Sequence, residues 1–260
     1  MDKCFEKVRE GIDVKKCGAI RDQYGRTLLH YATYYGHIYI VRYLLKKGVN
    51  PNVVDDFGQT PLHVANRLDI ARLLLKYGAN PNVKTKYDGR TPLHYAASEG
   101  NLAVVALLLK HGAYVDVKDN YGKTPLYLAV QNRHVDVVGY LLRKGANPNV
   151  QDERRLETPL HVAAYYGEIA IMKCLIKYGA NVNARDILRR TPLHFARRPD
   201  VAALLLRHGA DPNAEDLNGK TPLHYATEER LADVVKVLLR HGATVADREG
   251  KTPDIARVLV

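Results

Sequence analysis

The hexapeptide TPLHYA stands at Thr91–Ala96 and again, unchanged, at Thr221–Ala226. Its first four letters recur as TLLH at Thr27, as TPLH at Thr60, Thr158 and Thr191, and as TPLY at Thr124, with a degenerate TPD at Thr252. Successive tetrads lie 33, 31, 33, 34, 33, 30 and 31 positions apart. Self-similarity at such a period marks a chain of stacked units, each too small to bury a core alone.

Each part of the unit has a physical reason. Thr followed by Pro reads as an N-cap and first helical position, because the hydroxyl takes an orphan backbone N–H and proline has none to waste there. Gly36, Gly100 and Gly167 then stop a short first helix, glycine being the residue that enters the left-handed region freely. A second helix follows, as in AVVALLLKHG from Ala103, with an apolar face at helical spacing. Its last turn carries Lys46, Lys76, Lys110, Arg143, Lys177, Arg207 and Arg240, cations that oppose the negative end of the helix dipole. Endings such as GVNPNV at Gly48 and GANPNV at Gly78 and Gly145 close it.

The unit D-x-x-G-x-T-P-L-H, two helices, then G-A-x-x-N resembles the ankyrin repeat, and the likeness runs over almost the whole chain. It implies an all-α ankyrin-repeat solenoid in one domain over 1–260. The expected parts are an N-terminal cap at 1–21, repeats at 22–54, 55–85, 86–118, 119–151, 152–185, 186–215 and 216–246, and a truncated C-terminal cap at 247–260. Two repeats run short between Thr and Gly, TPLHVANRLDIARLLLKYGA and TPLHFARRPDVAALLLRHGA. Aligned to the others they lack the turn that ends the first helix, so the helices begun at Thr60 and Thr191 are expected to be about a turn shorter, with Pro199 opening the next.

The recurring His and Thr invite a catalytic reading, but His30, His63, His94, His161, His194 and His224 occur one per unit. Stacking spreads them into a ladder, whereas a catalytic or metal site needs convergence on one point. We therefore expect them to bond backbone at the helix entry. GKT at Gly122, Gly219 and Gly250 mimics the end of a phosphate-binding loop, yet the glycine required five residues earlier is Val117, Ala214 or Val245. Cys174 falls where other units place core leucine. No catalytic residue, cofactor or metal is expected.

With 46% hydrophobic residues the 260-residue chain should fold. The longest apolar run, 102–109, falls far short of the roughly 20 residues of a membrane span. Three cysteines at unrelated spacings, Cys4, Cys17 and Cys174, suit neither a disulfide framework nor a zinc site and suggest a cytoplasmic, soluble protein. The formal charge of +11 hints at an acidic partner or nucleic acid. Much of it is periodic, however, at helix ends and just before each Thr.

The resemblance implies recognition without catalysis: a monomeric protein-protein interaction scaffold that binds a partner protein or peptide through a concave groove and loop tips. Carried over by position, the candidate contacts are Tyr24, Arg26, Phe57, Tyr87, Arg90, Tyr121, Lys123, Arg154, Arg155, Arg189 and Arg190 in the loops, with Tyr34, Tyr35, Tyr165 and Tyr166 at the ends of first helices. Tyrosine and arginine are favoured at interface hot spots. The alternative is nucleic-acid or other polyanion binding through the basic-aromatic loops, opposed by the aspartates that recur there. Leu156 and Arg189 stand in the loop glycine slot, and Arg133 and Arg230 in the inter-helix one. The first two loops are expected to be remodelled.

Overall fold

In the computed structural model, which describes residues 20–245, every α-helix is seven to nine residues long. The residues form two compact units that part between Asn120 and Tyr121. The expected C-terminal cap lies outside the described residues, as does all but the last two positions of the N-terminal one.

In the first unit the order is α1 (Leu28–Tyr34), α2 (Ile38–Lys46), a single 3₁₀ turn at Pro61–Val64, α3 (Leu68–Lys76), α4 (Pro92–Ser98) and α5 (Leu102–Lys110). The second has α6 (Pro125–Gln131), α7 (Val135–Arg143), α8 (Pro159–Tyr166), α9 (Ile169–Lys177), a 3₁₀ turn at Pro192–Phe195, α10 (Pro199–Arg207), α11 (Pro222–Glu228) and α12 (Ala232–Arg240). Among the described residues the only β-type pairing is an isolated bridge between Arg21 and Thr27. The two short units behave as their lengths require: Pro61–Val64 and Pro192–Phe195 replace a first helix, and Pro199 opens α10.

Each unit has two layers. In the first unit, α1, the turn Pro61–Val64 and α4 pack side by side, and α2, α3 and α5 form the second layer. Between them Leu29, Leu44, Leu62, Ile70, Leu74, Leu93 and Leu108 are almost wholly buried. A buried leucine of this kind contributes roughly 1.5–3 kcal/mol. The second unit repeats the plan around Leu126, Leu141, Leu160 and Ile171. This is the all-α solenoid architecture expected.

Polar groups join neighbouring repeats. Asn82 donates its amide to the Gly112 carbonyl at 2.9 Å while its Oδ1 accepts the Tyr114 N–H at 3.0 Å. Asn52, Asn149, Asn183 and Asn213 make the same two-way clip to the next repeat. The loop aspartates point inward. Asp55, Asp119, Asp152, Asp186 and Asp216 are 2–4% exposed, and Asp186 accepts the backbone N–H groups of Leu188 and Arg190. They hold the turns instead of lining a surface.

The four residues in glycine slots keep the glycine conformation. Arg133, Leu156, Arg189 and Arg230 have φ of 64°, 56°, 61° and 57°. The loop at Arg189 is not remodelled, contrary to expectation. Its Asp186 N–H reaches the Arg190 carbonyl at 2.9 Å and the Arg189 N–H the Asp186 carbonyl at 2.8 Å, the pattern seen at Asp55, Gly58 and Gln59. The loop at Leu156 does differ, its extra residue widening the turn so that the Leu156 N–H bonds Asp152 four residues back. Cys174 is half-buried, short of the core position expected for it.

Candidate protein-interaction surface

The helix entries account for the Thr-His pairs. In the box at Thr60 the threonine side chain takes the amide of His63, and His63 Nδ1 takes the Thr60 N–H at 2.9 Å. Nδ1 is therefore the acceptor, and Nε2 carries the proton toward the Val83 and Arg90 carbonyls at 3.1 and 3.2 Å. His30, His161 and His194 reach Gln59, Arg190 and Lys220 in the same way. Burial pulls the pKa of His30 and His161 down, and those of His63 and His194 down to about 4. They bond backbone at the helix entry, as expected, and in addition tie that entry to the next loop. At Thr124, where Tyr127 replaces histidine, only the threonine half survives, with Oγ1 accepting the Tyr127 N–H at 3.2 Å.

The aromatic candidates face solvent. Tyr24, Phe57 and Tyr87 form a ladder along the loop tips of the first unit, with centroids 6.3 and 6.1 Å apart. Tyr34 and Tyr35, each 60% exposed, meet edge to face at 5.1 Å, and Tyr35 stacks on Tyr31. In the second unit Tyr121 is exposed, and Tyr165 and Tyr166 meet edge to face at 5.2 Å. Such rings present area at little entropic cost.

The basic candidates divide. Arg190 is half-buried and held by Asp186 at 2.7 Å. Arg90, also half-buried, lies 3.2 Å from Asp119, and Arg26 lies 3.7 Å from Asp55. Lys123 donates to Gln131 at 2.9 Å and sits over the Tyr127 ring. Arg155 is exposed and 3.8 Å from Glu157. Only Arg154 and Arg189 are exposed with no carboxylate partner among the described residues. The periodic cations that precede each Thr are thus largely spent inside the loops.

The structure adds Phe195 and Arg197, which the sequence reading passed over, and brings them together with Glu229 beside Tyr165. Arg197 lies 5.1 Å over the Tyr165 ring and pairs with both Glu229 oxygens at 2.8 and 2.9 Å. Arg133, from its left-handed position, covers Tyr166 at 4.6 Å and lies 3.5 Å from Glu168. The available signal for Phe195 and Arg197 was the shortened repeat to which they belong. On the second-helix layer, Lys173, Lys177, Arg207 and His208 rim an open groove floored by Ile176 and Leu204. His208 Nδ1 bonds the Leu204 carbonyl at 2.8 Å, a helix-end cap. Among the described residues no group of three or more His, Cys, Asp or Glu could hold a metal ion, and no helix is long and apolar enough to cross a membrane.

Comparison with known proteins gives the same architecture. The family model for ankyrin repeats matches residues 3–85, 66–152, 148–216 and 199–254. Human Inversin is 35% identical over 99 residues, which are 35% of this chain and 9% of that protein. Palmitoyltransferase AKR1 of Lachancea kluyveri is 37% identical over 102 residues, 37% of this chain and 14% of that protein. A putative ankyrin repeat protein of Rickettsia felis is 30% identical over 103 residues, 38% of this chain and 34% of that protein. The match spans only a minor part of each relative's length. Tetrad, helix pair, inward aspartate and asparagine clip recur at the period of the matched family, and the chain belongs to the ankyrin-repeat proteins.

Proposed function

We propose that the chain is a non-enzymatic scaffold that binds a partner protein or peptide on its loop tips and first-helix ends. The observation that carries this reading is the exposed aromatic surface, the ladder Tyr24–Phe57–Tyr87 and the tyrosine pairs Tyr34–Tyr35 and Tyr165–Tyr166. Exposed aromatic clusters mark docking surfaces on soluble proteins. The internal pairing of Arg26, Arg90 and Arg190 favours tyrosines over arginines as the main contacts. Cysteine usage supports placing this scaffold in the cytoplasm.

The test compares two variants in capture from source lysate, with and without nuclease. One replaces Tyr34, Tyr35, Tyr165 and Tyr166 with alanine, and the other replaces Arg154 and Arg189, sparing Arg190 because Asp186 depends on it. The tyrosine variant is expected to lose its protein partner while the arginine variant keeps most of it, both under nuclease. If nuclease releases the bound material, or affinity falls by roughly 10³-fold between 50 and 200 mM salt as for about six phosphate contacts, the reading fails.

A further inference from the structure

The two short repeats share one arrangement, one in each unit, and among their differences are Val64 against Phe195 and Asn66 against Arg197. Tyr34, Gly36, Arg67 and Asp69 reappear as Tyr165, Gly167, Arg198 and Asp200, each 131 positions further on. Arg67 donates to the Gly36 carbonyl at 3.3 Å and to both Asp69 oxygens at 3.1 and 2.7 Å. Arg198 does the same to Gly167 at 3.4 Å and Asp200 at 3.1 and 2.6 Å. In both units the 3₁₀ turn packs between the helix bearing the tyrosines and the helix that follows. Glu99 and Glu229 cap that following helix with closely similar backbones, φ −86°, ψ −7° and φ −83°, ψ 0°.

In the second unit a guanidinium bridges the arrangement, Arg197 lying over Tyr165 and forked onto Glu229. In the first unit the residue at that position is Asn66, too short for either contact. The Tyr34 ring is 60% exposed. Glu99 is also exposed, and among the described residues its carboxylate has no hydrogen-bond or ion-pair partner. Partial desolvation raises the Glu99 pKa, a cost that an adjacent cation relieves.

We infer that Tyr34 and Glu99 together receive an arginine side chain of the partner, which takes the position that the chain's own Arg197 takes in the second unit. The chemistry is that of a planar cation, stacked on a phenol ring and forked onto a carboxylate, for which arginine is better suited than lysine. A partner of this kind presents an arginine to the first unit, whatever acidic groups it offers to Arg154 and Arg189 in the second.

The inference rests on the reading of the first-helix face as the docking surface, and its test is local enough to be judged apart from it. The full chain, with its tyrosine rings isotopically labelled, is titrated by NMR with an acetylated and amidated Gly-Arg-Gly peptide and with the same peptide carrying citrulline. The arginine peptide should shift the Tyr34 ring saturably in the millimolar range, and the uncharged citrulline peptide should not. Glu99→Gln should weaken binding by about tenfold or more, the loss of one charged partner. Asn66→Arg should abolish it by supplying the guanidinium in cis, and Arg197→Asn should open a second saturable site at Tyr165. All three changes are at exposed positions. Equal response to citrulline, or binding indifferent to both Glu99→Gln and Asn66→Arg, overturns the inference. Saturable peptide binding with partner capture indifferent to the tyrosines would leave this site standing and sink the docking reading, and the reverse pattern would do the opposite.

Discussion

The ring of His63 donates through Nε2 to the carbonyl of Arg90, 27 positions further along the chain, at 3.2 Å. This is the bond by which one helix entry holds the next loop, and it has a pH dependence. Burial lowers the folded pKa of His63 and His194 to about 4, below the ordinary histidine value of about 6.5. The unfolded chain therefore takes up protons first. Stability should be full above about pH 7, decline as pH falls through 6.5, and level off near 4, with each of these two rings costing on the order of 3 kcal/mol by then. Urea midpoints measured from pH 8 to pH 4.5 check this, and a flat profile between 7 and 5 would contradict it.

Asn82→Ala removes both arms of one clip, to Gly112 and Tyr114. At about 1 kcal/mol per bond the loss should be roughly 1–3 kcal/mol, with folding intact. Hydrogen exchange gives the local readout. The Tyr114 amide should exchange faster in the variant, and an unchanged Tyr114 rate would show that the clip is incidental.

The left-handed positions predict opposite signs for similar changes. Arg230→Gly should stabilise by up to about 1 kcal/mol, since glycine accepts φ near 57° without the steric cost an L side chain meets. Arg133→Gly should gain less, because it also removes the cover over Tyr166 and the pairing with Glu168. Gly122→Ala should be harmful: its φ is 73° and the new Cβ would lie 2.7 Å from the Glu153 backbone nitrogen. Chemical denaturation of the three variants should rank them in that order.

Arg189 and Arg190 are neighbours with different duties. Arg190→Ala strips the buried Asp186 carboxylate of its cation and should cost about 1–3 kcal/mol of stability while leaving partner affinity nearly unchanged. Arg189→Ala, at an exposed tip, should spare stability. Thermal melts paired with binding isotherms separate the two, and a partner affinity that depends more on Arg190 than on Arg189 would reverse the assignment.

The repeat, its helix pairs and the two shortened first helices were legible because each rests on short-range chemistry: a Thr-Pro cap, a glycine stop, a counted spacing. The histidines were legible as structural because a ladder cannot converge. What could not be read was the outcome of competition between side chains. Arg190 was expected to be a partner contact, but Asp186 four positions back holds it down. Arg189 looked like a remodelled turn, yet the surrounding hydrogen bonds impose the glycine conformation on it. The cluster of Tyr165, Arg197 and Glu229 joins three repeats, and no local pattern announces a meeting of residues 165 and 229.

The asparagine clips touch only main-chain atoms of the next repeat, a glycine carbonyl and an N–H two residues later. They ask nothing of the neighbour's side chains. Any repeat that ends in this way can follow any other, so segments of the chain can be copied, excised or reordered without a new joint having to evolve. The arrangement that recurs 131 positions apart keeps its joints while the side chains between them differ, Arg197 against Asn66 among them.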